Sequence, residues 1–411
     1  MRRILVPTES LTQRLASGAW LSPAAARFAA LMMCVGTLLS LAFIFFNSHG
    51  LLDYAGRPLG TDFSSFWSAG HMAREGRAPQ AYDWDAMAAV QRQLFGTDRL
   101  SPWSYPPVFL FIVVPLAMLP YLAAFFVWQG ASLVAALAVY RKILPRQVSR
   151  RDALLFGLGF PAVLVCLGHG QTGLLTAALM AGGLLILRKS QIAAGILFGL
   201  MIYKPQFGLL LPLALAAGGY WRAFLAASVT VLAVLALSAL VWGWPAWQAF
   251  FDSLHATRTI VFEQGDTGFE KFQSAFSWVR LWHGPVAFGY AAQAAVALIV
   301  VAAVLSIWRG TPAFALQAAA LLTGSLLVSP YTLDYDFVVF GMALAFLVSH
   351  GFAHGFRPWD RTLIALAWFV PVIARVAGKL AYLPLGFLAL AAIFALIVVR
   401  AGEQRRERAP H

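Results

Sequence analysis

The 411 residues are 60% hydrophobic and only 11% charged, with a mean hydropathy of +0.74, which argues against soluble domains and for a polytopic membrane protein. The net charge of +13 does not indicate nucleic acid, because its basic residues fall between apolar runs as they do in cytoplasmic loops, with a further pull toward anionic headgroups. Only two cysteines occur, Cys34 and Cys166, each inside an apolar run, which argues against a disulfide framework or a cysteine metal site.

Met1-Arg2-Arg3 leads into no small-residue cleavage site, so no removable signal peptide is expected and 27–46 reads as a retained first span. Each apolar run approaches the roughly 20 residues that a helix needs to cross the hydrocarbon, and a helix satisfies its own backbone there. Basic clusters at Arg2, Arg3, Arg14 and Arg27, at 141–151, at Arg188 and Lys189, at Arg222, Arg309, Arg357 and Arg361, and at 400–408 are placed inside. About twelve crossings with both termini cytoplasmic follow on ordinary span lengths. They are expected at 27–46, 121–140, 153–168, 172–187, 191–203, 206–219, 223–243, 286–307, 312–328, 337–349, 362–376 and 382–400. Several are short and interrupted by proline, as in helices that stop partway around a cavity. Val108 to Leu119, between Pro107 and Pro120, would put the Arg-rich stretch outside if it crossed, so it reads as a half-membrane or interfacial helix. Residues 1–411 thus form a single all-α polytopic domain, with a cytoplasmic basic tail at 401–411.

The outer face then collects two long loops, 47–104 and 243–284, and three short polar junctions. The junctions are Gly168-His169-Gly170-Gln171, Tyr203-Lys204-Pro205-Gln206, and Ser329-Pro330-Tyr331-Thr332-Leu333-Asp334-Tyr335-Asp336. Polar motifs gathered on one side point to one outward cavity. In the first loop, apolar and polar residues interleave from Phe63 to Arg74 and again from Trp84 to Phe95, a pattern for helices lying at the interface. The loop closes on Tyr105-Pro106-Pro107, which fixes an extended backbone ahead of the next apolar run.

Asp62-Phe63 with Phe66-Trp67 and Ala69-Gly70, Tyr82-Asp83, Tyr105-Pro106-Pro107, Gly170-Gln171, Lys204-Pro205-Gln206 and Ser329-Pro330-Tyr331 with Asp334-Tyr335-Asp336 occur in that order over residues 60–336. This ordered set resembles glycosyltransferase family 87, the polyprenyl-phosphate-mannose-dependent mannosyltransferases with a C-type membrane glycosyltransferase fold. The chain departs from the family's usual pattern at Pro79-Gln80-Ala81-Tyr82-Asp83, where the Pro-Tyr spacing is usually tighter, and at Thr172-Gly173, where an Asn often follows the Gly-Gln. The resemblance implies a polyprenyl-phosphate sugar donor, a lipid or glycan acceptor, and Asp62 as general base on the outer face of the cytoplasmic membrane. A sugar hydroxyl is a poor nucleophile until a carboxylate accepts its proton. Displacement of the lipid phosphate in a single step inverts the anomeric centre and needs no second carboxylate.

A leaving phosphate asks for cations. Lys204 is the first candidate, being costly in the middle of an apolar stretch; Arg280 and Lys271 follow. Gln171, His169, Tyr105 and Tyr331 are expected to hydrogen-bond the sugar, while Asp334 and Asp336 orient Lys204, bind the acceptor or hold a cation. No cofactor beyond the lipid-linked co-substrate is expected, and a divalent cation stays open. A resident metal site is not expected, since His350 and His354, the one i, i+4 histidine pair, have no acidic partner nearby.

Blander roles stand beside each of these. Asp62 suits an N-cap, Lys204 a helix end from which it snorkels, and Asp334 and Asp336 the start of the helix that follows them. His169 suits a satisfied polar group at a turn. Two other function classes also remain: a lipid-linked glycan polymerase or ligase, and a transporter or flippase, which would carry an internal repeat with charges in both halves.

Overall fold

Helices make up the computed structural model, which describes residues 10–310 and 313–408 and has no strand among them. Arg2 and Arg3, the start of the expected 312–328 span and the end of the tail at 409–411 lie outside the described residues. A short helix α1 (Leu11–Ser17) precedes α2 (Pro23–Phe46). Ser22 sets the start of α2 by accepting from the Ala25 amide, and Pro23 occupies the first helical position. The first long connection carries α3 (Phe63–Arg74) and α4 (Trp84–Phe95), followed by the short α5 (Leu110–Leu116). Then come α6 (Tyr121–Ile143), α7 (Arg150–Leu158), α8 (Pro161–His169), α9 (Gly173–Leu187), α10 (Gln191–Gly199), α11 (Pro205–Gly208), α12 (Leu210–Ala217) and α13 (Trp221–Trp242). The second connection is helical too, with α14 (Trp244–Ala256) and α15 (Ala275–Leu281). Five helices close the chain: α16 (Val286–Arg309), α17 (Phe314–Val328), α18 (Phe337–His354), α19 (Asp360–Ala381) and α20 (Leu385–Arg408).

Among the described residues, seven helices are long and apolar enough to cross a membrane: α2, α6, α13, α16, α18 with the turn before it, α19 and α20. The chain is a multi-pass membrane protein. The expected 153–168 span is broken: α7 and α8 together form an eighth candidate, bent by 58°. Pro161 lacks an N–H and holds Phe160 extended, so the helix stops and restarts there. The runs expected at 172–187, 191–203, 206–219 and 312–328 are helical at Gly173–Leu187, Gln191–Tyr203, Pro205–Ala217 and Phe314–Val328, each shorter than the roughly 20 residues of a full span. Pro107–Leu116 is shorter still, as a half-membrane helix would be.

Burial orders the bundle. The apolar window of α18 is 72% buried, against 11% for α2 and 6% for α13, so α18 runs through the centre and the other two through the periphery. Contact between α10 and α13 is backbone-close: a Cβ on Gly195 would stand 2.4 Å from the Ala223 carbonyl oxygen, and one on Gly199 would stand 2.6 Å from Thr230 Cβ. Small residues four apart permit that approach between membrane helices.

The first connection has a core of its own. The expected helices are present with the expected limits, and α4 is amphipathic, burying Met87, Val90, Gln91 and Phe95. By contrast, α3 does not rest on a surface: Phe63, Phe66, Ala69 and Met72 are all 0–1% exposed. Its Ser64, Ser65, Ser68, Ala69 and Gly70 let α5 come so near that a Cβ on Gly70 would meet the Val113 carbonyl at 2.3 Å. The Phe66 ring lies edge-on to Trp103, Tyr105, Phe109 and Trp128, with centroids 5.1–6.3 Å away. This aromatic block fixes the turn that precedes α3.

Candidate active site

Asp62 occupies the position before α3 but does not cap it, since its side chain takes no amide of the first turn. Its Oδ2 instead accepts a hydrogen bond from Gln171 Nε2 at 2.8 Å. Gln171 sits between α8 and α9, where Gly170 ends α8 at φ +70°. A Cβ on Gly170 would lie 2.5 Å from Phe63 Cβ and 3.2 Å from the Gly60 carbonyl oxygen, so glycine lets the two turns touch. On its other side, Gln171 Oε1 accepts from the Tyr105 hydroxyl at 2.9 Å. Accepting from a phenol and donating to a carboxylate is possible in only one amide orientation. Tyr105 is anchored in turn, its carbonyl accepting from the Tyr82 hydroxyl at 2.9 Å. Burial pushes the Tyr105 phenol well above its ordinary value, so it stays a neutral donor.

Lys204 stands in the break between α10 and α11, with φ −134° and ψ 65°. Its Nζ lies 2.5 Å from Asp336 Oδ1 and 3.3 Å from Thr172 Oγ1. The rings of Phe207 and Tyr335 face it at 5.2 and 5.0 Å. Asp336 Oδ2 accepts from the Leu333 amide at 3.1 Å, so this aspartate joins Lys204 to the start of α18 without capping that helix.

Asp334 faces another cation. Its Oδ2 receives Arg375 Nε at 2.7 Å and Nη2 at 2.5 Å, while the buried Oδ1 has no partner among the described residues. His169 Nδ1 lies 2.7 Å from the Thr61 hydroxyl. Tyr331 packs edge-on to Phe272 at 5.1 Å, and the Gln273 amide donates to the Thr332 carbonyl at 2.7 Å, pinning the second connection to this junction.

These groups surround a cavity of about 400 Å3. Asp62, Tyr105, His169, Gln171, Lys204, Tyr331 and Asp334 all line it, joined by Asp266, Lys271 and Arg375. Both long connections and all three junctions contribute, so the polar motifs do converge on one space. Asp336 is not on the wall but behind Lys204. Arg280 does not line it: it donates to the Gly284 and Glu263 carbonyls at 2.6 and 3.1 Å and lies over Phe269, tying the second connection to itself. Sequence reasoning missed Arg375, Thr172 and Thr61. An arginine inside an apolar helix was the available signal for Arg375. A larger cleft of about 590 Å3 lies elsewhere, among Tyr140, Phe352, Trp368 and Arg361; it is mostly apolar and holds none of the expected site residues.

A half-buried carboxylate oriented by an amide, in a cavity also lined by Lys271 and Arg375, is suited to accept a proton and to stabilise a departing anion. The model of glycosyltransferase family 87 matches residues 103–330, more than half of the chain. The match includes Tyr105, His169, Gln171, Lys204 and Arg280, whereas Asp62, Tyr331, Asp334, Asp336 and Arg375 lie outside it. No curated protein and no solved structure matches the chain. On the family match and its membrane helices, the chain belongs to glycosyltransferase family 87 and is a membrane glycosyltransferase.

Proposed function

We propose that the protein transfers a sugar, mannose in the first instance, from a polyprenyl-phosphate donor to a lipid or glycan acceptor on the outer face of the cytoplasmic membrane. Asp62 is the general base. The observation that carries this reading is that the Asp62 carboxylate leaves its own helix uncapped and is held in the cavity by Gln171 at 2.8 Å. The acceptor hydroxyl gives its proton to Asp62, its oxygen bonds to the anomeric carbon, and the bond from that carbon to the phosphate oxygen breaks. Polyprenyl phosphate leaves with the bonding pair, and the anomeric configuration inverts.

Lys204 spends two of its three N–H donors on Asp336 and Thr172, which leaves one for the sugar. Gln171, His169, Tyr105 and Tyr331 complete the sugar's polar surroundings, and Asp334 answers the acceptor or the cations beside it. Twelve apolar helices in a C-type glycosyltransferase arrangement, with both termini cytoplasmic and the cavity outward, belong to the same proposal. The lipid-linked donor is the co-substrate; no cofactor beyond it is called for, and a divalent cation stays open.

The test supplies purified protein in nanodiscs with radiolabelled polyprenyl-phosphate mannose and a cell-lipid acceptor extract. Label moving to a new lipid or glycan, with polyprenyl phosphate released, supports the reading. Transfer from polyprenyl-phosphate arabinose or glucose but not mannose would replace the sugar and keep the reaction. No transfer from any lipid-phosphate donor would remove the reading.

A further inference from the structure

A second, smaller cleft of about 240 Å3 adjoins the first. Ser40 and Ile44 of α2 and Leu164 and Val165 of α8 line it, and it shares His169 and Arg375 with the catalytic cavity. We infer that this cleft receives the first isoprene units of the donor's lipid chain and that Arg375 holds the donor phosphate at the junction of the two spaces. The polyprenyl phosphate lies along the cleft, with its sugar carried past His169 toward Asp62. The inference rests on the lipid-phosphate donor proposed above.

Position supports it first. The cleft borders α2, the peripheral helix that faces lipid along most of its length, and its wall beside α2 and α8 is largely apolar. An isoprenoid chain entering beside α2 and α8 meets Ile44, Leu164 and Val165, whereas Asp53, Arg57 and Thr61 of the first connection make their part of the lining polar. Arg375 lies six residues before the end of α19 at Ala381, roughly 9 Å along the helix axis, near headgroup depth. Its neighbours Val372, Ile373 and Val376 are exposed on the outside of the bundle, while the guanidinium turns inward, an arrangement costly enough to imply use.

Position separates Arg375 from the other cations: among the described residues it is the one Lys or Arg that lines both spaces, whereas Lys271 lines the catalytic cavity alone. The Lys204 side chain is 5% exposed and committed to a fully buried Asp336, which leaves little net charge for a phosphate. Arg57 is paired with Asp53 in the same manner and lines the cleft, but it does not reach the catalytic cavity and so is not at the junction. The Arg375 side chain is 36% exposed and spends only Nε and one Nη2 proton on Asp334. That leaves three of the five guanidinium N–H groups for an anion, in the fork geometry that phosphate oxygens match. Thr61, which lines the cleft, touches His169, which lines both spaces, at 2.7 Å.

The experiment measures binding without chemistry: affinity of polyprenyl phosphate, bearing no sugar, for the full chain in phosphatidylcholine nanodiscs. Polyprenol without phosphate and excess phosphatidylglycerol serve as comparison and competitor. The variants are Arg375→Gln, the charge-balanced Arg375→Gln/Asp334→Asn, Val165→Trp to fill the cleft, and Asp62→Asn. The expected result is preference for the phosphate over polyprenol, a loss of about tenfold or more in the double variant and in Val165→Trp, and an unchanged affinity in Asp62→Asn. Wild type that binds while both of those variants stay within about twofold overturns this inference alone. Displacement by phosphatidylglycerol as effective as by unlabelled polyprenyl phosphate also overturns it, making the cleft a general phospholipid site. Wild type indifferent to the phosphate overturns the inference together with the donor reading.

Discussion

Gln171 donates to the Asp62 carboxylate at 2.8 Å while accepting from Tyr105 at 2.9 Å, so one amide links a residue of the first turn to the end of the same connection. In the proposed reaction this contact orients the carboxylate and leaves its other oxygen for the acceptor hydroxyl. Gln171→Glu removes the donor and sets a like charge beside Asp62. A hydrogen bond to a charged group is worth enough that initial transfer rates should fall roughly 10- to 100-fold. Tyr105→Phe, which loosens the amide but leaves it in place, should cost about tenfold or less. Wild-type rates in Gln171→Glu would show that the amide does not orient the base.

Lys204 and Asp336 form a buried pair, with side chains 5% and 0% exposed. Lys204→Met alone strands a buried carboxylate and should destabilise the protein by about 3–5 kcal/mol. Lys204→Met/Asp336→Leu removes both charges and should recover most of that loss. Thermal unfolding of the purified variants in detergent separates these cases; equal Tm values for the single and double variants would contradict the pairing.

Gly170 is held at φ +70° with Phe63 and Gly60 closer than a side chain allows. Gly170→Ala should therefore push the two turns apart, costing about 1–3 kcal/mol of stability and moving Asp62 off Gln171. Transfer should fall more in Gly170→Ala than in Gly168→Ala, whose added methyl meets nothing within 4 Å. Equal activity of the two variants would show that the close approach is not needed.

Phe66 is 1% exposed at the centre of four aromatic rings. Phe66→Ala opens that block and should destabilise the protein by about 3–5 kcal/mol, read as a lower Tm. Little or no change in Tm would mean that the first connection does not share the stability of the bundle.

Local rules made α4 legible: Asp83 caps its start by accepting from the Ala86 amide, and Gly96 ends it at φ +69°. The limits of α3 were legible as well, although Asp62, a natural capping residue, turns elsewhere. What depended on distant packing was not. Interleaved polar and apolar residues in α3 look like a surface helix, yet those polar residues are serines, small enough to be buried against α5. Arg375 near the end of an apolar run looks like a snorkelling residue until Asp334, 41 positions away, is brought to it. Arg280 looked available because a sequence does not show that the carbonyls of Glu263 and Gly284 fold back onto it. Pro161 marked the break in the expected 153–168 span, but its 58° bend needed coordinates.

The central claim is that Asp62 takes the proton of the acceptor. Asp62→Asn keeps the size of the side chain and can still pair with Gln171, while lacking the basicity. Sugar transfer from radiolabelled polyprenyl-phosphate mannose, measured for wild type and Asp62→Asn in nanodiscs at equal folded protein, should fall by about 10²- to 10⁴-fold with donor binding retained. Transfer by Asp62→Asn within about threefold of wild type would contradict the account, because no general base is lost at so small a cost.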